Sequence, residues 1–124
     1  MKCLSDYMSG AQTASFDKHG AFFAFSKKQF DEKAVEGVKY VQTGSGMIVP
    51  KENVEVLMAE LEKIYIDAIA QDVAENGIDG IIGRELDNYE CYYTGSIDDA
   101  VEALEVYGIT REQVKAIFIE GRAA

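Results

Sequence analysis

Between Pro50 and Gly77 the apolar residues Val54, Leu57, Leu61, Ile64 and Ala68 step by 3, 4, 3 and 4 positions. Only an α-helix brings such a series onto one side, and Met58, Tyr65, Ile69 and Val73 widen the stripe. Pro50 suits the first helical position, and Asn76-Gly77 supplies the stop, so one helix is predicted over about 50–75. A helix of that length with a continuous apolar face must cover something. The stripe is broad and spans about two to three heptads, which favours a core helix lying on a sheet over a coiled-coil strand.

The sheet is expected upstream. Leu4, Tyr7 and Met8 have helical spacing and predict a short helix within residues 1–20, ended by the turn signal Asp17-Lys18-His19-Gly20. Ala21 to Phe25 reads as a buried strand. Ser26 with Gln29 three residues on forms a capping box for a helix to about Glu36. Val38–Val41 and Met47–Val49 are β-prone runs flanking Gln42-Thr43-Gly44-Ser45-Gly46, the pattern of a hairpin. Gly44-Ser45-Gly46 lacks the further residues of a phosphate-binding GxxxxGK[ST] or GxGxxG loop, so glycine's conformational use explains it.

Downstream, Ile82, Leu86, Tyr89 and Tyr93 follow helical spacing, although Tyr89–Tyr93 also suits a strand. Helix is the preferred reading for 78–94. Ser96 with Asp99 then predicts a capped helix whose apolar face is Ala100, Val101, Leu104 and Tyr107, ended by Gly108. Thr110 with Gln113 caps a last helix burying Val114, Ile117 and Phe118. The pair makes an αα-hairpin. The fold class predicted is α+β: a small antiparallel sheet from about 21 to 49 packed on the long helix, then a helical C-terminal half. Length and composition (124 residues, 48% hydrophobic, one proline) predict a single globular domain over 1–124, mixed α+β through 76 and acidic and mainly helical over 77–124.

The formal charge is −10, and its placement is uneven. Residues 64–110 hold 11 acids and one base, Arg84, whereas the rest of the chain holds 11 of each. Such segregation opposes direct binding to nucleic acid or to an anionic membrane surface and steers the chain toward basic partners. No apolar run reaches the roughly 18–20 residues needed to cross a bilayer, and the first residues lack a secretory signal's apolar core, so a cytoplasmic location is predicted.

Catalytic chemistry is sparse. His19 is the sole histidine and is read as a solvated loop residue within contact range of Asp17. Cys3 and Cys91 are too isolated for a disulfide framework or a metal knuckle, and Cys91 among tyrosines reads as a small buried hydrophobe. Asp79, Glu85 and Asp87 lie close in sequence without a calcium-loop pattern, and Asp98 and Asp99 are explained by the helix dipole. No catalytic residue, metal ligand or cofactor site is predicted. What remains is tyrosine set among acids. Aromatic contact area and carboxylates that accept arginine forks suit a protein interface, so Glu85, Asp87, Tyr89, Glu90, Tyr92, Tyr93, Asp98, Asp99, Glu102 and Glu105 are the candidate partner-binding residues. The plainer alternative is that these tyrosines are half-buried core residues with solvated hydroxyls.

The block Tyr89-Glu90-Cys91-Tyr92-Tyr93-Thr94-Gly95-Ser96-Ile97-Asp98-Asp99-Ala100-Val101, running on to Tyr107-Gly108-Ile109-Thr110, and the segment Phe22 to Phe30, resemble small acidic proteins of phages, prophages and gut Firmicutes. That resemblance implies a mobile-element setting, in which small acidic proteins act as inhibitors of host defence, anti-CRISPR proteins among them; it transfers no functional residue. The function expected is a non-enzymatic interaction module docking an acidic, tyrosine-containing surface on a basic partner, such as a nucleic-acid-binding complex. A small-molecule or nucleotide-binding domain using Lys27, Lys28, Lys39 or Arg84 near the aromatic run is the alternative, and a carboxylate-based enzyme the third reading.

Overall fold

The computed structural model describes residues 1–123 and shows an α+β chain that is mostly helical. Helix α1 is Leu4–His19, strand β1 Phe22–Phe23, helix α2 Lys27–Lys33, strand β2 Tyr40–Gly44 and strand β3 Met47–Pro50. A 3-10 turn, Lys51–Asn53, leads into helix α3, Val54–Asn88. Helix α4 is Cys91–Thr94, helix α5 Asp98–Leu104 with a 3-10 turn at Glu105–Tyr107, and helix α6 Arg111–Ala123. Two compact units result: Ser5–Ala68 is one, and Met1–Leu4 with the chain from Ile69 onward is the other.

In the first unit the sheet has the order β1-β3-β2 and is antiparallel throughout. Phe22 pairs with Ile48 and Val41 with Val49, and a bulge between Gln42 and Gly44 closes the hairpin. The hairpin needs positive φ at three consecutive residues, 109° at Gly44, 52° at Ser45 and 79° at Gly46; two glycines there make the turn inexpensive. Val49 and Leu57 are fully buried. The rings of Phe22, Phe30 and Tyr40 meet edge to face or tilted at 5.5–6.1 Å, which fixes α2 on the sheet.

Several local expectations need correction here. The aromatic run 21–25 is not a buried strand: only Phe22 and Phe23 pair, and Phe25 is 76% exposed. Helix α1 is longer than a short N-terminal helix, reaching His19. Helix α2 stops at Lys33, not Glu36, because Ala34 is already extended. Pro50 ends β3 instead of opening the long helix; its ψ of 129° is extended, and the 3-10 turn intervenes. The cap of α2 forms as read, Gln29 N–H donating to Ser26 Oγ at 3.2 Å, but the Gln29 side chain accepts from Phe25 N–H at 2.7 Å.

The second unit begins inside α3. The predicted stop at Asn76-Gly77 is a break: Gly77 has φ 72° and ψ 160°, after which the helix resumes to Asn88. Ile81, Ile82 and Leu86 from that resumed run pack with Cys91, Ala100, Val101, Leu104, Ile109, Val114 and Phe118 in one core cluster. The αα-hairpin is present, with Gly108 at φ 74° between its arms. The box at Thr110 is fully reciprocal: Gln113 N–H donates to Thr110 Oγ1 at 3.3 Å, and Thr110 N–H to Gln113 Oε1 at 2.7 Å. At the other arm Ser96 Oγ accepts from Asp98 N–H at 3.4 Å, so the cap sits one residue off the predicted frame.

Two glycines separate conformational need from mere presence. Gly77 lies in a region of backbone space open essentially to glycine, so Gly77→Ala is expected to destabilise by about 1–3 kcal/mol in chemical denaturation. Gly10 is helical with nothing within 4 Å of where a Cβ would stand, so Gly10→Ala is expected to stabilise by up to about 1 kcal/mol.

Candidate partner-binding surface

The acidic interval starts from a buried ion pair. Asp72, with a side chain 0% exposed, accepts two parallel bonds from the Arg84 guanidinium, at 2.9 Å on Oδ1 and 3.0 Å on Oδ2. Asn76 Nδ2 donates to Oδ1 at 2.7 Å and the Tyr107 hydroxyl to Oδ2 at 2.6 Å. Arg84 also reaches the Lys2 carbonyl (2.9 Å) and Glu85 (2.9 Å). Burial on its own raises the Asp72 pKa, but the bonds from Arg84, Tyr107 and Asn76 and the Arg84 charge outweigh it and hold the carboxyl below its ordinary range. Burial, and then the bond to Asp72, push the Tyr107 hydroxyl above the usual tyrosine value. Arg84, offered by the sequence as a ligand-pocket base, is therefore a committed structural cation. The clue to this was its standing as the one base in the acidic interval.

Beyond the pair, the helical stripe Ile82-Leu86-Tyr89-Tyr93 does not hold. Helix α3 ends at Asn88, and Glu90 takes a left-handed conformation (φ 53°, ψ 36°) that restarts the chain as α4. This rotates Cys91 into the core, 1% exposed, and turns Tyr89 and Tyr93 out, 43% and 91% exposed. Burial and the nearby Asp99 raise the Cys91 thiol, which keeps it protonated and apolar. Tyr92 stacks on Phe118 at 5.1 Å, with Arg122 over the same Phe118 ring at 5.4 Å. Its hydroxyl lies so close to Gly121 that a Cβ there would collide with it.

The candidate acids divide accordingly. Glu85 is tied to Arg84 and Asn88, and Asp98 to Arg111 at 2.9 Å. Asp87, Glu90, Asp99, Glu102 and Glu105 are exposed and form no ion pair among the described residues. Tyr107 is half-buried and spent on Asp72, whereas Tyr89, Tyr92 and Tyr93 are at the surface. No basic residue lies between Arg84 and Arg111. The second unit carries 12 acids against 5 bases, a charge of −7, and the first 10 against 7, a charge of −3.

In the first unit His19 is buried, not a solvated loop residue, and Asp17 is not its partner. It closes α1, its carbonyl accepts from Asn53 Nδ2 at 2.9 Å, and Nε2 donates to Glu60 Oε2 at 2.9 Å. Ser15 Oγ donates to the same Glu60 oxygen at 2.7 Å, and Lys18 Nζ pairs with Oε1 at 3.3 Å. The residue types are those of a nucleophilic triad, but both Ser15 and His19 address Glu60, so the serine proton has no base to receive it. The bond from Ser15 first, then that from His19, lowers the Glu60 pKa to about 2; burial opposes the shift and Lys18 adds to it. Of the other cations, Lys27 borders a cleft lined by Phe25, Phe30 and Tyr40, while Lys39 lines a separate one with Val38 and Lys51.

Two measurements follow from these clusters. Asp72→Asn, which removes the bidentate countercharge of the buried Arg84 and leaves it Glu85 alone, is expected to cost about 3–5 kcal/mol in urea denaturation, and Tyr107→Phe about 1.5–3 kcal/mol through the lost bond to the Asp72 carboxylate, together with the weaker one accepted from Arg84 at 3.3 Å. Glu60 has a folded pKa below its unfolded value, so its contribution is complete above about pH 4.5 and disappears as the pH falls toward about 2. The stability gap between the wild type and Glu60→Gln should therefore narrow over that window; a constant gap would contradict the cluster.

No curated protein and no solved structure matches the chain. A family model does, over residues 4–118. The chain belongs to that family, a family of unknown function designated DUF7659.

Proposed function

We propose that this chain is a non-enzymatic interaction module whose second unit docks residues 85–105 on a basic protein surface. The observation that carries the reading is Tyr93, 91% exposed on a helix that a left-handed Glu90 sets apart from α3. The same segment carries Tyr89, Tyr92 and five exposed carboxylates with no ion-pair partner among the described residues. Tyrosines give contact area at low entropic cost, and carboxylates accept arginine forks. A surface that holds nucleic-acid phosphates is the partner class this chemistry fits, and inhibition of such a machine is the role that follows.

The test uses a synthetic arginine-rich peptide as a stand-in for the partner surface, titrated into the labelled chain and followed by NMR. Shifts should concentrate in residues 85–105, and affinity should fall by about tenfold or more from about 50 mM to about 500 mM salt. Tyr93→Ala, at a position with no packing role, should weaken binding by about tenfold. Salt-independent binding, or shifts dispersed over the first unit, would overturn the proposal.

A further inference from the structure

The first unit holds a different kind of site. A cleft of about 630 Å³ opens beside β2 and β3, a volume ordinary for a small-molecule site. Buried Ala24 and Ile48 lie at its base, and Phe25, Phe30 and Tyr40 supply three aromatic rings. Each ring is held. Phe30 and Tyr40 meet edge to face at 5.6 Å, and the Tyr40 hydroxyl accepts from Val35 N–H at 2.9 Å.

Phe25 is the informative one. It is 76% exposed, yet it is fixed from two sides. Its N–H donates to Gln29 Oε1 at 2.7 Å, and its ring lies against Gly46, where any Cβ would overlap it. An aromatic ring held in water gains little for folding, whereas a rigid exposed ring at the rim of a cleft lowers the ordering cost of binding.

The polar lining sets the ligand's charge. Lys27 is the one charged residue bordering the cleft among the described residues, and it forms no ion pair there. Among the described residues no carboxylate lines the cleft, in a chain of net charge −10. The Gln42 amide adds one donor and one acceptor. Flat apolar walls, one unpaired ammonium and no acid match a planar ring that carries a negative group.

We propose that this cleft binds a small aromatic anion, a flat ring bearing a carboxylate or a phosphate. Its ring stacks between Phe25 and the Phe30–Tyr40 pair, and its anionic group meets Lys27. The site is independent of the docking reading, since every residue it uses belongs to Ser5–Ala68.

The test titrates the full chain, by NMR, with indole-3-acetate and adenosine monophosphate, each beside its uncharged counterpart, indole-3-acetamide and adenosine. Amides of residues 24–48 should shift with at least one anion, and that anion should bind about tenfold more tightly than its counterpart. Lys27→Gln should remove that preference while leaving the uncharged compound unaffected. Phe25→Ala should weaken both; Phe25 is exposed, so the spectrum of the free variant should retain its dispersion. The preference of each anion over its own counterpart, compared between the two pairs, separates carboxylate from phosphate. Equal binding of anion and counterpart, a charge preference that survives Lys27→Gln, or no shift in residues 24–48 with any of the four compounds would overturn it.

Discussion

A single buried ion pair sets the conditions for the C-terminal half of this protein. Removing a carboxylate and a guanidinium from water costs several kcal/mol per ion, and the pair is tolerated only where geometry and additional bonds repay that cost. Here they do. The Asp72–Arg84 contact is bidentate, Asn76 and Tyr107 occupy the remaining carboxylate lone pairs, and the Lys2 carbonyl and Glu85 take further guanidinium protons. The pair also spans the break at Gly77, so it joins the two runs of α3 where the helical hydrogen-bond ladder cannot. Tyr107, from the far end of the hairpin's first arm, is drawn into the same network. The acidic residues 85–105 are therefore displayed from a frame whose own charges are already neutralised.

How far this was legible in the sequence depended on the range of the interaction involved. Several features set within four residues were readable, among them the Thr110–Gln113 box, the glycine turns at 44–46 and 108 and the helical stripe beginning at Val54, although the end of α2 and the place of Pro50 were not. Features that turn on distant partners were not. Nothing near Arg84 reveals that Tyr107 and the Lys2 carbonyl will meet it, so the sequence offers it only as a candidate ligand-pocket base. The stripe through Tyr89 and Tyr93 has correct helical spacing, but α3 ends at Asn88, and after the left-handed Glu90 it is Cys91 that joins Ala100 and Leu104 in the core. The same limit applies to His19, whose partner Glu60 lies 41 residues on.

The two units therefore differ in what they present. Residues from Ile69 onward hold most of the negative charge and carry exposed tyrosines on short helices, a chemistry of protein surfaces. Ser5–Ala68 holds a cleft lined by three aromatic rings and, among the described residues, by Lys27 as its one charged side chain, the site proposed for a small anion. Neither arrangement places a base beside a nucleophile. In the first unit Ser15 and His19, which might have formed such a couple, both donate to Glu60, and in the second Cys91 is buried while Cys3 is half-buried.

The dependence of the acidic, tyrosine-bearing segment on the buried pair is the claim that most needs direct measurement. Native-state amide hydrogen exchange on the wild type and on Arg84→Met reads it residue by residue. Protection should fall together across residues 81–118, the span of the core cluster and of the candidate surface. Loss confined to the amides beside residues 72 and 84, with the segment 85–105 as protected as before, would contradict it.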